Sequence, residues 1–152
     1  MDAQERQELI EQYARGYDAV ADALEGCVDP DAREAPGEWS PREIVHHLAD
    51  AEMTSAIRLR RLLAEDHPTI HGYDEGRFAR DLFYDRPLEG SLAAFKGARE
   101  STLPLLERLT DEQWARAGTH TESGPYSVED WLRIYASHGF DHAEQIRRAR
   151  AG

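Results

Sequence analysis

Apolar residues recur at intervals of three and four through four long segments of the chain. This interval places the apolar side chains on one face of an α-helix, and it constrains the fold more than any other feature. The spacing predicts helices over about Ala3 to Glu25, from Ser40 onward, over about Glu89 to Leu109, and from Ser127 onward. Because no stretch shows the strict alternation of a half-buried strand, no strands are predicted beyond stray bridges.

Two of the connections between these segments are long, residues 66–88 and 110–126. A short helical piece is predicted near Glu75 to Leu82, and the capping box at 110–113 predicts a single turn that carries Trp114. Connections of this length tend to be lids or binding loops. The pattern predicts an all-α four-helix bundle with two long crossovers, formed by residues 1–152 as one domain and not arranged as a simple up-and-down meander.

Composition narrows the classes of function. The chain has 30 acidic against 18 basic residues and a formal charge of −12, which disfavours nucleic-acid binding. No apolar run approaches the roughly 18 residues of a membrane-spanning helix, and the polar first residues lack the pattern of a secretory or transit peptide. The single cysteine, Cys27, excludes an internal disulfide framework. We therefore expect a cytoplasmic protein that acts on a small molecule, without nucleic-acid or membrane partners.

Two histidines spaced four residues apart are the first candidates for chemistry. His138 and His142 leave the same face of the last predicted helix, and this spacing allows two imidazoles to share one metal ion. They lie within the apolar stripe, where polar groups without partners are costly. The alternative is a pair of histidines that are satisfied by hydrogen bonds or half exposed, with no metal.

A third imidazole is available on the second predicted helix, at His46 or His47. Neighbouring residues point about a quarter turn apart, so at most one of them can face a given site. A helical projection places His47 on the flank of the apolar stripe and His46 almost opposite the stripe. We therefore expect His47 to complete the site and His46 to meet solvent or a partner. Three imidazoles with open positions are typical of a catalytic metal site.

The segment from Glu38 to Glu52 resembles the second helix of the DinB-like superfamily. Within that superfamily the chain is most similar to the YfiT-type metal-dependent hydrolases, a group related to the bacillithiol S-transferases. The order and spacing of several motifs carry the resemblance, which covers the chain from Trp39 onward. The further motifs are Pro68-Thr69-Ile70 with Tyr73, the segment His120 to Gly124, and His138 to His142 with Gln145-Ile146.

The resemblance implies a four-helix bundle that holds a divalent metal, commonly nickel or zinc, on three histidines. The matching positions in this sequence are His47, His138 and His142. Iron would suit three imidazoles as well. The resemblance also implies a homodimer.

The resemblance further implies transfer of a low-molecular-weight bacterial thiol, of the bacillithiol or mycothiol type, to a small electrophile. A metal-dependent hydrolase and a non-catalytic metal-binding or interaction bundle are the alternatives. No catalytic residue is assigned, because Cys27 is remote in sequence and Gly139 follows His138 where H-E-x-x-H would need a glutamate. A hydrolase would have to take its base from elsewhere, for example from Asp50 or Asp141.

Two more residues are candidates for binding the thiol co-substrate. Arg58 lies eleven residues after His47 in the same helical row, where its guanidinium can clamp a carboxylate. A surface arginine or an internal ion-pair partner is the alternative for Arg58. Gln145 can hydrogen-bond a ligand imidazole or a bound water, or it can lie at the edge of the bundle.

Expectations also follow for the two long connections and for two glycines within the predicted helices. Tyr73 and His120 lie in the two long connections and are expected to shape the electrophile pocket. Gly97 and Gly139 lie inside predicted helices, where glycine costs about 1 kcal/mol relative to alanine. Close approach of a neighbouring helix would explain both.

Overall fold

The computed structural model describes residues 1–152, and four long helices form its body. These helices are α1 (Ala3–Leu24), α2 (Pro41–Ala64), α4 (Glu89–Leu106) and α6 (Val128–Ala151). The two long connections contain the short helices α3 (Glu75–Asp81) and α5 (Asp111–Trp114) and the strands β1 (Thr69–Ile70), β2 (Ala117–His120) and β3 (Gly124–Ser127). The predicted four-helix bundle is confirmed.

Capping boxes begin three of the helices. At the start of α2, the Ser40 hydroxyl accepts a hydrogen bond from the Glu43 N–H, and the Glu43 carboxylate accepts one from the Ser40 N–H. The same reciprocal pair forms between Ser127 and Asp130 at the start of α6. Each box satisfies backbone donors that a helix N-terminus leaves free.

The helices are not packed in sequence order around the bundle. Helix α1 packs against α4 and α6, and α2 packs against the same two helices. The consecutive helices α1 and α2 therefore occupy diagonal corners, so the arrangement is not a simple meander. None of the helices contains a stretch long and apolar enough to cross a membrane.

A polar layer divides the core at half height. One apolar cluster contains Leu59, Trp131 and Leu132, and another contains Leu48 and Phe95. Between these clusters, Glu52 of α2 and Arg99 of α4 form a salt bridge with 3.1 Å between Nε and Oε2, and both side chains are buried. Arg99 also donates to the main-chain oxygens of Tyr13 in α1 and Tyr135 in α6, both at 2.7 Å. A single side chain thus connects all four long helices.

The expectation that strands are absent is wrong. β1 pairs in parallel with β2, and β2 pairs with β3 as an antiparallel hairpin, so the two long connections form one three-stranded sheet. The strands are two to four residues long and contain Gly118, Gly124 and Pro125, so they carry no readable alternation. Gly118 is required by the pairing, because a Cβ there would overlap the carbonyl of Pro68.

Close helix approach explains one of the two helical glycines. A Cβ on Gly139 of α6 would lie 2.8 Å from the Gly16 oxygen of α1, closer than packed atoms tolerate. The expectation is wrong for Gly97, because a Cβ at that position would meet nothing within 4 Å. Gly97 faces solvent, where nothing in the structure requires a glycine.

These two glycines give a matched test of the α1–α6 contact. We expect Gly139→Ala to lower the free energy of unfolding by about 1–3 kcal/mol, because the added methyl group pushes the two helices apart. Gly97→Ala should raise it by about 1 kcal/mol, because alanine is the better helix former. Urea denaturation of both variants measures the difference. Equal effects in the two variants would contradict the close approach.

Candidate metal centre

Three histidines from two helices converge on one point. His47 comes from α2, and His138 and His142 come from consecutive turns of α6. One ring nitrogen from each lies within 4.8 Å of the others, and the Nε2 atoms of His138 and His142 are 3.1 Å apart. The projection that selected His47 therefore chose the residue that faces the pair. No carboxylate or thiol belongs to this cluster.

Gln145 fixes the orientation of one of these rings. Its Oε1 lies 2.7 Å from Nδ1 of His142, so it accepts the Nδ1–H hydrogen bond. With its proton on Nδ1, the neutral ring keeps a lone pair on Nε2, the atom that faces His138. Gln145 was expected to hydrogen-bond either an imidazole or a bound water, and the structure shows the hydrogen bond to an imidazole.

The three imidazoles are held neutral by their surroundings. Burial, together with a smaller effect of the nearby His142, lowers the pKa of His47 to about 3. Burial also lowers the pKa of His138 to about 2, with His142, His47 and Arg99 acting in the same direction. The pKa of His142 is lowered by burial as well, although its hydrogen bond to Gln145 opposes the shift. Neutral imidazoles are the form that binds metals.

The donor set fits a divalent ion. Two nitrogens that bind one zinc-sized ion at about 2.0–2.1 Å are roughly 3.0–3.4 Å apart, and the observed separation of the two Nε2 atoms is 3.1 Å. Without an ion, two lone pairs would face each other at this distance or one ring would have to donate to the other. Nδ1 of His138 is buried without a hydrogen-bond partner, so no hydrogen bond like that between Gln145 and His142 orients this ring.

His46 does not meet solvent, and that expectation is wrong. The ring is fully buried between α2 and the chain leading into α4. Its Nδ1 lies 2.7 Å from the Ser91 hydroxyl, and its Nε2 lies 2.8 Å from the main-chain oxygen of Arg86. The projection placed His46 almost opposite the apolar stripe, and it could not show that the connection before α4 covers this residue.

Aromatic rings enclose the histidine cluster. The ring of Trp39 lies 4.9 Å from His47, and the ring of Tyr135 lies 5.7 Å from His138. Tyr135 also connects the cluster to Arg58, whose Nη1 donates to its hydroxyl at 3.2 Å. One side chain, that of Tyr135, therefore separates Arg58 from the histidines. The Arg58 guanidinium also lies 5.9 Å from the centre of the Tyr73 ring.

The remaining candidate residues lie outside the histidine cluster. They are His120, Asp50 and Asp141. Nδ1 of His120 accepts hydrogen bonds from the N–H groups of Glu122 and Ser123, and its ring lies 5.5 Å from that of Tyr126. Asp50 accepts a hydrogen bond from Tyr84 at 2.7 Å, which occupies one oxygen of that possible base. Asp141 is exposed, and neither aspartate belongs to the histidine cluster.

The sequence reasoning missed the buried pair Glu52 and Arg99 and the phenol of Tyr126. A signal was present for the pair, because each charged residue lies four positions after a core residue, Leu48 or Phe95, on an apolar stripe. No comparable signal marks Tyr126, which lies in a strand too short to show a period.

Known proteins resemble this chain over most of its length. The family model described as the DinB superfamily matches residues 12–146. A protein of Oceanobacillus iheyensis named "putative metal-dependent hydrolase" is 36% identical over 72% of this chain and 64% of its own length. A Bacillus mycoides protein with the same description is 30% identical over 97% of this chain and 82% of its own length. The aligned part of this chain covers only 64–65% of the length of the first three relatives compared.

The fold also matches a solved structure. YfiT from Bacillus subtilis, described as a probable metal-dependent hydrolase with an unusual four-helix bundle topology, superposes with a TM-score of 0.89. The match has 29% sequence identity and covers 96% of this chain and 86% of YfiT. The expected resemblance is confirmed, and the chain belongs to the DinB superfamily.

Proposed function

We propose that this chain is a metal-dependent enzyme that transfers a small bacterial thiol to a small electrophile. In this proposal His47, His138 and His142 hold a divalent ion, nickel or zinc, with iron also compatible. The observation that carries the proposal is the composition of the cluster, three buried neutral imidazoles with no carboxylate among them. Such a set leaves the positive charge of an ion uncompensated.

That charge suits a thiol substrate. A divalent ion with an open position lowers the pKa of a coordinated thiol below its free value of about 8.5. The thiol then needs no protein base to lose its proton, which agrees with the absence of a carboxylate from the cluster. Gln145 keeps the His142 ring in the orientation that presents Nε2, and Trp39 covers the face of His47. The thiols proposed are of the bacillithiol or mycothiol type.

Hydrolysis is the second candidate, and the names of the relatives favour it. Several similar proteins are named as metal-dependent hydrolases, and YfiT is described in the same way. A hydrolase would use the same three histidines with water as the nucleophile. It would also need a group to protonate the leaving atom. The homodimer implied by the family resemblance stays a prediction alongside either activity.

The first test measures bound metal. We expect His47→Ala, His138→Ala and His142→Ala each to lose most of the metal that the wild-type protein carries, because two imidazoles hold an ion far more weakly than three. His46→Gln is the matched control, since His46 is the next residue on α2 but hydrogen-bonds to Ser91 and Arg86. Mass spectrometry of purified protein gives the metal content. Equal loss in His46→Gln would contradict the assignment of ligands.

A second test uses the acid stability of the metal-free protein. The pKa of a histidine is about 6.5 in the unfolded chain, whereas in the folded protein it is about 3 for His47 and about 2 for His138. Each of these residues therefore takes up its proton mainly in the unfolded state. As a result, the free energy of unfolding falls as the pH drops below 6.5. At pH 5 the loss is about 2 kcal/mol for each such residue.

His138→Gln should therefore lose about 2 kcal/mol less than the wild type between pH 7 and pH 5. His67→Gln, which changes an exposed histidine outside the cluster, should follow the wild-type curve. Denaturant titrations at the two pH values measure these changes. Parallel curves for the wild type and His138→Gln would show that His138 is not buried as a neutral ring.

The third test separates the two reactions. Metal-loaded protein is given an electrophile such as monochlorobimane, with and without bacillithiol or mycothiol, and the products are weighed by mass spectrometry. A thiol adduct that disappears in His138→Ala is the expected result. Turnover without any thiol would favour hydrolysis, and no turnover across a broad panel would favour the non-catalytic bundle.

A further inference from the structure

The buried polar atoms that lack hydrogen bonds are concentrated around one residue. Three buried side-chain nitrogen or oxygen atoms have no partner: Nε of Arg58, the hydroxyl of Tyr126 and Nδ1 of His138. Tyr135 lies beside all three residues. Its hydroxyl is 3.2 Å from Arg58, its ring is 5.7 Å from that of His138, and it packs in the same buried cluster as Tyr126. Buried polar groups in proteins are normally satisfied, so this concentration needs a cause.

Arg58 is also a cation without an acidic partner. Its two terminal nitrogens donate to neutral groups, Nη1 to the Tyr135 hydroxyl and Nη2 to the main-chain oxygen of His71 at 2.7 Å. These two bonds fix the plane of the guanidinium and leave the Nε–H as a directed donor. By contrast, the neighbouring Arg61 pairs with Glu65 at 2.7 Å.

Tyr126 supplies a second donor to the same place. Its side chain is only 4% exposed, and its hydroxyl makes no hydrogen bond. Tyr126 and Tyr135 belong to the same buried cluster, and Tyr135 hydrogen-bonds to Arg58. Burial raises the pKa of Tyr126, the nearby Tyr135 adds to the rise, and the positive charge of Arg58 opposes it. A neutral phenol and a guanidinium N–H both offer hydrogen to an acceptor.

A cavity gives access to Arg58 from the surface. It has a volume of about 410 Å³, and its polar wall is formed by Thr54, Arg58, Arg61 and His71. Met53 and Ile57 form an apolar wall, with 45% and 59% of their surface exposed. Thr54 lies on α2 between His47 and Arg58, so the cavity adjoins the helix face that carries the histidine. Its size is within the range of small-molecule sites.

We propose that Arg58, Tyr126 and Tyr135 form a subsite that binds a carboxylate of the substrate. The Nε–H of Arg58 and the Tyr126 hydroxyl donate to the carboxylate oxygens, and Tyr135 holds the guanidinium in position. A carboxylate fits better than a phosphate dianion, because Arg58 supplies a single positive charge and Arg61 in the cavity wall is already paired with Glu65. The proposal deepens the proposed function. It rests on that function only in taking the bound carboxylate to be part of a substrate that reacts at the nearby histidines.

The test observes Arg58 directly and requires neither metal nor turnover. In metal-free protein labelled with ¹⁵N, the Nε–H signal of Arg58, assigned by its loss in Arg58→Lys, is followed during titration with succinate. Dimethyl succinate provides an uncharged probe of the same shape, and inorganic phosphate provides a different anion. We expect succinate to shift the signal to saturation, the ester to leave it unchanged, and phosphate to bind at least tenfold more weakly than succinate.

Variants then test the two donors by calorimetry with succinate. Tyr126→Phe should weaken succinate binding about tenfold, because a hydrogen bond to a charged group is lost. Arg58→Lys keeps the charge but not the directed Nε–H, so it should weaken binding by at least as much. Arg60→Gln is the matched control on the same helix, where the arginine donates to Thr102 and Ser101, and it should bind succinate like the wild type.

The subsite is refuted if succinate leaves the Arg58 signal unmoved, if the ester shifts it equally, or if Tyr126→Phe binds as tightly as the wild type. Binding of phosphate more tightly than succinate would refute the choice of a carboxylate. Because none of these measurements involves metal or an electrophile, they can succeed even where the thiol-transfer assay fails. The converse outcome, transfer activity without succinate binding, would refute the subsite alone.

Discussion

The buried ion pair between Glu52 and Arg99 is the interaction on which the arrangement of the bundle depends. It lies between the two apolar clusters, and the Arg99 guanidinium reaches Glu52 of α2 and main-chain oxygens of α1 and α6. Tyr13 adds a hydrogen bond to the other oxygen of Glu52 at 2.8 Å, so the carboxylate is also satisfied. Removing one partner of such a pair costs about 3–5 kcal/mol, because the remaining charge is left buried alone. The pair therefore restricts the bundle to a packing in which the four helices meet at this height.

The buried layer that contains Glu52 and Arg99 also determines the position of the histidines. Arg99 can lie across the bundle because Gly16 has no side chain, since a Cβ there would overlap the guanidinium. Gly16 and Gly139 also bring α1 and α6 into direct contact. Gly139 directly follows His138, so the glycine that fixes the approach of α6 also fixes the height of the histidine pair. Arg99 contributes to the site electrostatically as well, because its charge helps to lower the pKa of His138. The core and the candidate site are thus parts of one arrangement.

The sequence was sufficient for features that depend on a single helix. Helical spacing was enough to predict the four helices, the convergence of His138 with His142, and the choice of His47 over His46. It failed where a second segment decides the outcome. His46 is buried because the chain leading into α4 covers it, and the short strands form only because two distant connections pair. The contacts of Arg58 likewise involve Tyr135 and His71, which lie on other elements. The spacing of residues along one helix carries no information on contacts between segments that are distant in the sequence.

Tyr135 is the residue at which the structural layer and the candidate site meet. Its main-chain oxygen accepts a hydrogen bond from Arg99, and its hydroxyl accepts one from Arg58. The two arginines thus bind the main-chain oxygen and the side-chain hydroxyl of one residue, whose ring packs against His138. Around Arg99 every charged group has its partners, whereas around Arg58 buried donors remain without an acceptor. An unsatisfied buried donor costs about 1–3 kcal/mol, so other interactions have to offset the free donors around Arg58. The layer at half height therefore connects the four helices, while the cluster around Arg58 keeps the free donors that the proposed subsite would use.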